Sequence, residues 1–407
     1  MAADLSPGSG IIPHPREVAR AVKKSTLVEP FLCCRYSFCP YMACGHGCAY
    51  CDGRAEKYWV EGNYERDIVV RTNLAGLLGS ELSRLRERAP VAVGSGISDA
   101  YQPIEETQRL MRDCAQELAA ANLPVTVLTK SALVRRDIDL WERIHRRSTF
   151  ILNLSIATLD EQVRRTFEPG ASSIEERLQT IREFSQKGIP VGVMAMPLLP
   201  LIGDSEADIR SLVQELSALG VAFVMAGGLT LRPGRQKDFF MARLEAAHPA
   251  LVPEYERIYG EQRPSSAPLR SYSDDLAARI ARVLQEAGMP ALLPHALFRG
   301  RLPIYDEVHL LLQHMTELYA ARGIRVASLK SSARRYGDWL AARKAVFNRR
   351  RSIRQQDLEE DARMLFFQGA DDVLGNEKLA AFLRSVVVDR KLLDYRSLTL
   401  SDPPVSA

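Results

Sequence analysis

Over the first 260 residues, two kinds of hydrophobic pattern alternate along the chain. Short apolar runs at 31–36, 90–93, 125–129, 150–156, 190–196 and 221–225 have the length and β-branched content of buried strands. The run DIVVR at 67–71 is a further strand of this kind. Between them, residues 74–88, 105–121, 137–145, 174–187 and 205–219 place apolar side chains at helical spacing. Gly188 is a C-terminal stop for one helix, and Ser205, with Asp208 three residues on, is an N-cap for another. Strands alternating with helices through short loops predict a parallel sheet with helices outside, and right-handed crossovers curve it toward a barrel. Ligand sites in such folds gather at the C-terminal strand ends. From about residue 249 the pattern becomes mostly helical, at 251–257, 273–286, 308–322 and 338–349. The organisation read from this is a disordered tail over 1–29, an α/β barrel over 30–260 and a mostly helical region over 261–407, with a linker at 264–268.

The loop after the first strand carries the chemistry. It reads Cys44-Gly-His-Gly-Cys48-Ala-Tyr-Cys51. A [4Fe–4S] cube normally takes four thiolates, so a loop that offers three leaves one iron open for substrate or cofactor. Glycines at 45 and 47 let the backbone turn tightly, and Tyr50 sets an aromatic ring beside the last thiolate. Zinc is the rival reading, with a fourth ligand drawn from His46, Cys39, Cys33 or Cys34, but no second Cys pair follows to close such a site. A plain electron carrier would complete the fourth cysteine. A disulfide framework does not fit seven cysteines, an odd and sparse number in 407 residues.

Composition narrows the setting. Hydrophobic residues make up 46% and charged residues 26%, which is ordinary for a globular protein. No apolar run is long enough for a transmembrane helix, so no membrane partner is expected. The opening MAADLSPGSG lacks the pattern of a secretory leader, and a reducing, cytoplasmic location is the expectation. Net charge is only +4, yet Lys330, Arg334, Arg335, Arg343, Lys344, Arg349, Arg350, Arg351 and Arg354 face one acidic residue, Asp338, within their block. Such a block is a solvated helix face or a phosphate-binding surface. Tyr336, Trp339 and Phe347 interleave with it as packing or base-stacking residues, so a nucleic acid is an expected partner.

The C-x3-C-x2-C loop with an aromatic before its third cysteine resembles the signature of the radical SAM superfamily. Several later stretches resemble its spore photoproduct lyase-like branch: Pro40-Tyr41, Ser98-Asp99-Ala-Tyr101-Gln102-Pro103, Leu128-Thr129-Lys130-Ser131, Arg136-Asp137, Ser155-Ile156, Glu168-Pro169 and Met196-Pro197. The resemblance implies an open, partial (β/α)6 TIM-like barrel with a helical C-terminal extension. It implies a [4Fe–4S] cluster on Cys44, Cys48 and Cys51, and S-adenosyl-L-methionine cleaved reductively to a radical that abstracts hydrogen. A reductant such as flavodoxin or ferredoxin is implied as a partner. Tyr50 is expected beside the adenine, the Gly94-Ser95-Gly96 turn at the methionyl amino group, Lys130 at the carboxylate, and Ser155 and Asp99 within hydrogen-bonding reach of the cofactor. A rim lysine and a glycine turn are also common structural features. Glu105 is a further rim carboxylate or the start of a helix. The branch's asparagine before Pro-Tyr is Cys39 here, and its cysteine beside the Ser-Asp turn is absent. Cys114 falls on an apolar helix stripe with Leu110 and Leu118 and reads as core. The catalytic residue beyond the cofactor set is unassigned. The competing reading is a non-catalytic, zinc-stabilised nucleic-acid-binding protein.

Overall fold

The structure is a computed structural model and describes residues 10–58, 61–94, 96–260 and 266–402. Ten strands matter here: β1 Ile12–Arg16, β2 Lys23–Glu29, β3 Cys34–Phe38, β4 Tyr41–Met42, β5 Asp67–Arg71, β6 Val91–Val93, β7 Val125–Thr129, β8 Phe150–Ser155, β9 Val191–Leu198 and β10 Phe223–Gly228. The main sheet runs β10-β9-β8-β7-β6-β3-β2. Its first six strands in that order are mutually parallel, and β2 lies antiparallel on β3. This is the open partial barrel expected, with β3 as the strand that leads into the cysteine loop.

Two readings change. Residues 12–16 and 23–29, assigned to a disordered tail, form strands, because β1 finds a partner in β5 and β2 finds one in β3. β5, a strand as read, lies outside the main sheet and joins β1 and β4 in a small separate one, where its apolar run packs. The helix read across 105–121 is broken at Arg109, whose φ of 55° lies in the left-handed region, giving Glu105–Gln108 and Leu110–Ala121. Ser205 caps its helix as read, accepting from the Asp208 amide at 3.1 Å.

The strands' two faces bury against different partners. Phe150, Leu152 and Leu154 of β8 and Val191 and Val193 of β9 pack on the outer helices with Leu178, Ile181 and Phe184. Alternation turns Ile151, Asn153 and Ser155 to the inner face. There Ile151, Met194 and Phe223 pack with Leu302, Val308 and Leu311 of the C-terminal region. The C-terminal helices Ile304–Ala320 and Ala327–Arg349 thus fill the inner face from the end where the strands begin. They are fixed there by an ion cluster. Lys344 Nζ lies 2.7 Å from Glu87 and 2.8 Å from Asp306, and Arg35 lies 2.9 Å from Glu87. The other end of the barrel, where the strands finish, is left to the cysteine loop. No helix among the described residues is long and apolar enough to cross a membrane.

Candidate active site

The cysteine loop is held from all sides by main-chain and side-chain hydrogen bonds. The Cys44 amide donates to Tyr64 O at 3.1 Å, Ala49 N to Phe167 O at 2.8 Å, and Gly170 N to His46 O at 2.9 Å. Gln102 clamps the first turn, accepting from Gly45 N at 2.6 Å and donating to Ala43 O at 3.1 Å. Arg54 donates to the carbonyls of Cys48 and Gly47 at 2.9 and 3.0 Å. Gln236 donates to Tyr50 O at 2.8 Å. Gly47 has φ 62°, a conformation that favours glycine. A loop pinned this way presents its thiols without rearrangement.

The three thiols fit an iron–sulfur cluster. Cys44 and Cys48 are buried and Cys51 is partly so, and all three are free. Burial pushes the Cys48 thiol up to about 12 and Cys44 well above the usual thiol range, with the neighbouring cysteines adding to both. Metal binding releases protons from cysteine thiols, because the ligand is the thiolate. Among the described residues no three His, Cys, Asp or Glu side chains converge on a single ion. A cube with irons at separate corners asks the thiols to surround a volume instead. Tyr64 lies against the loop, its hydroxyl 3.2 Å from Cys51 Sγ.

Beside the loop lies a charge network that sequence reading saw only in fragments. Glu168, in a turn after Glu161–Phe167, receives the Tyr50 hydroxyl, the Lys130 ammonium at 3.1 Å and the Arg177 guanidinium at 2.6 Å. Burial would raise the Glu168 carboxyl, but Arg177 and Lys130 outweigh it and hold it well below the usual range. The Lys130 ammonium also sits 5.5 Å from the Tyr50 ring centroid. Arg177 is fully buried and also donates to Ser155 O at 2.8 Å.

Most candidate residues gather at this rim. Tyr50 and Lys130 are joined through Glu168. Ser155 ends β8 and is buried. Gly94 follows β6 with φ 94°, where an added Cβ would stand 3.1 Å from Leu128 O. Gly96 follows with open space around it, and Ser95 lies outside the described residues. Asp99 has a framework role. It accepts from Tyr101 N, Thr129 Oγ1 and Lys130 N, each at 2.8 Å, and stands 3.4 Å from His46 Nδ1. Burial lowers the His46 pKa, which favours the neutral ring. Glu105 is buried and held by Tyr41 and Arg136, each at 2.5 Å. Cys114 is fully buried among the outer-face hydrophobic residues, as its helix stripe implied. Met196 and Met225, on the inner face, border an apolar cavity of about 610 Å³ beside β10.

The Radical SAM superfamily model matches residues 38–216. An uncharacterized protein of Mycobacterium tuberculosis is 33% identical over 255 residues, which is 61% of this chain and 74% of that protein. The chain belongs to the radical SAM superfamily. This radical SAM enzyme is also 25% identical over 272 residues to the radical SAM Nalpha-GlyT isomerase of Pseudomonas phage M6, covering 63% of this chain and 53% of that protein. Among solved structures, a tyrosine-to-phenylalanine variant of spore photoproduct lyase superposes with a TM-score of 0.52 at 17% identity, covering 68% of this chain and 79% of that one. A second, the lyase complexed with dinucleoside spore photoproduct, gives 0.50 at 18% identity, covering 66% and 78%. These likenesses establish a shared fold. Family membership sets aside the non-catalytic zinc protein.

Glu168 and Gln102 entered the sequence reading only within family-like stretches and without a role, and Arg177, Tyr64 and Gln236 did not enter it. Arg177 had a signal. It falls on the apolar stripe of its helix with Ile174, Leu178, Ile181 and Phe184, where a cation is buried only with a partner.

Proposed function

We propose that this enzyme holds a [4Fe–4S] cluster on Cys44, Cys48 and Cys51 and uses it to cleave S-adenosyl-L-methionine to methionine and a 5′-deoxyadenosyl radical that abstracts hydrogen from its substrate. The observation that carries this reading is the three-thiol loop, fixed at the C-terminal end of a partial barrel beside the Tyr50–Glu168–Lys130–Arg177 network. The chain's own residues supply placement. Gly94 and its turn leave room for a close approach by the cofactor's amino acid end. Lys130, at the rim, offers a cation to its carboxylate, and the Ser155 hydroxyl adds a polar group on the inner face. Tyr50, locked by Glu168, gives the adenine a fixed flat surface. Burial by the C-terminal helices keeps water from the inner face where a radical would be quenched.

A nucleic acid is the substrate class this reading favours. Lys330, Arg334, Arg335, Arg343, Arg349, Arg350, Arg351 and Arg354 are exposed on one helix and the turn after it. Lys344 is not among them, because it is buried in the ion cluster, and Tyr336 and Phe347 are core residues that do not stack on bases. The solved relative that binds a dinucleoside photoproduct supports the same class. The free state of all seven cysteines agrees with a reducing, cytoplasmic setting.

The test is anaerobic reconstitution with iron and sulfide, followed by reduction with S-adenosyl-L-methionine present. The expected result is a brown protein that releases 5′-deoxyadenosine, and Cys44→Ala, Cys48→Ala and Cys51→Ala variants that fold but hold no cluster. A colourless wild type that leaves the cofactor intact overturns the reading.

A further inference from the structure

β10 ends the main sheet, and the apolar cavity of about 610 Å³ lies along its free edge. No cysteine of the loop lines this cavity, nor does Tyr50, Lys130 or Glu168. At the rim its wall is Gly228 and Thr230, and the Thr230 hydroxyl lies 3.5 Å from Asp52, the residue after Cys51. At the far end its wall is Pro290, whose carbonyl accepts from Val224 N at 2.9 Å. β10 has 6 residues, so the cavity runs for about 20 Å at the rise of an extended strand.

The long walls are aliphatic. Leu276, Ile280 and Leu284 of the helix Arg270–Glu286 form one, and Met196, Met225 and Leu318 form the other. The uncharged polar side chains beside them are few: Thr230, Ser273 and Gln285, with the Tyr395 hydroxyl already spent on His314 at 2.7 Å. A nucleobase needs hydrogen-bond partners around its edge. A hydrocarbon chain needs only apolar walls, and each methylene it buries stabilises it there.

The far end changes character. Arg322 and Arg396 stand there with one carboxylate, Glu317. Arg322 donates to the carbonyls of Tyr395, at 3.1 Å, and Arg396, which fixes the turn that carries Arg396. The Arg396 guanidinium reaches over Gly288, where an added Cβ would stand 4.0 Å from Nη1. Among the described residues neither guanidinium has a carboxylate partner. Two cations against one carboxylate leave a single positive charge, which a singly charged head matches and a doubly charged phosphate does not.

We infer that this cavity binds a long-chain carboxylate, its head between Arg322 and Arg396 and its hydrocarbon tail along β10 toward the rim. The site is separate from the proposed radical chemistry, because its walls hold none of the thiols. Its upper lip still touches that site: Gln236 Nε2 donates to Thr230 O at 3.1 Å and to Tyr50 O at 2.8 Å.

The experiment titrates the full chain, stripped of bound lipid, with hexadecanoate below its micellar concentration in a calorimeter. Saturable binding at one site per chain is expected. Hexadecanol, with the same tail and no charge, should bind about tenfold more weakly, and hexadecyltrimethylammonium more weakly again. The variant Arg322→Gln, Arg396→Gln should lose about tenfold in hexadecanoate affinity and keep hexadecanol affinity within about twofold. Ala281→Trp, which fills the middle of the cavity, should lose both. Arg396→Gln alone, on an exposed turn, carries the test if the double variant misfolds, with a loss of about threefold. Absence of saturable hexadecanoate binding overturns the inference, as does equal affinity for the three probes or a double variant that binds like wild type. Tighter binding of hexadecyl phosphate than of hexadecanoate overturns the carboxylate head. Displacement of hexadecanoate by thymidine monophosphate at a similar concentration would make the cavity a nucleotide pocket instead. None of these readouts uses the cluster, so a chain that binds hexadecanoate but releases no 5′-deoxyadenosine fails the proposed function and keeps this inference.

Discussion

The two ends of the barrel each bury a set of charges, and they use them differently. Where the strands begin, two cations, Lys344 and Arg35, face two carboxylates, Glu87 and Asp306, with side-chain exposures of 0, 6, 3 and 0%. That set is balanced and sealed. Where the strands end, two cations, Lys130 and Arg177, share one carboxylate, Glu168. The nearby Asp99 is turned to His46 and to backbone amides. Lys130 keeps 15% exposure, so its ammonium remains reachable. A closed, balanced set joins two parts of a fold. A set with surplus positive charge at an open rim is prepared to receive thiolates and a carboxylate. Charge count and exposure, more than the presence of ion pairs, separate the junction from the site.

Breaking the closed set should have the largest effect. Lys344→Met leaves Glu87 and Asp306 buried with only Arg35 to offset them, a loss of about 3–5 kcal/mol. Urea unfolding should show it, with the C-terminal helices lost first. Arg177→Met at the open set should cost somewhat less, about 3 kcal/mol, because Lys130 still neutralises Glu168. Unlike the first change, it should also weaken S-adenosyl-L-methionine binding by the folded, reconstituted protein, measured by equilibrium dialysis. Equal loss of cofactor binding in both variants would erase the distinction between the two ends.

Acid should find the junction before the rim. His309 and His314 lie in the helix that fills the barrel, and burial lowers each to about 4. A folded-state value below the unfolded one means their stabilisation is complete above about pH 6.5 and falls as pH drops toward 4. Each histidine then costs up to about 1.4 kcal/mol per pH unit, so thermal unfolding at pH 5.5 should occur measurably below that at pH 7.5. Replacing both with Gln should flatten that slope. The smallest change tests a cysteine outside both sets. Cys114→Ser buries a hydroxyl in an apolar core and should cost about 1–2 kcal/mol. The rate of 5′-deoxyadenosine formation per folded molecule should be unchanged, because Cys114 packs among outer-face residues.

Much of the site was legible because it is local. Cys44, Cys48 and Cys51 fall within eight residues, and no long-range contact is needed to see that they form one ligand set. Strand and helix runs were legible from period, since each buries a face against neighbours of the same kind. Glu168 was not, because a carboxylate in a turn reads the same whether it meets solvent or two cations. Lys344 was misread as surface charge within a basic run. The stripe of Ala333, Tyr336, Leu340 and Phe347 already ran through its position, but its partners Glu87 and Asp306 lie far away in the chain. The N-terminal strands were missed for the same reason. Residues 12–16 and 23–29 have weak patterns of their own and take their conformation from β5 and β3.

By itself, then, the sequence determined the parallel α/β class, the cysteine loop and the chemistry that such a loop supports, because periodicity and close spacing are properties of contiguous residues. Tertiary structure alone decided which carboxylates neutralise Lys130, Arg177 and Lys344, and which face of the sheet the C-terminal helices fill. Those outcomes depend on which distant residues meet, and charges become functional or structural only through the partners and the exposure that folding assigns to them.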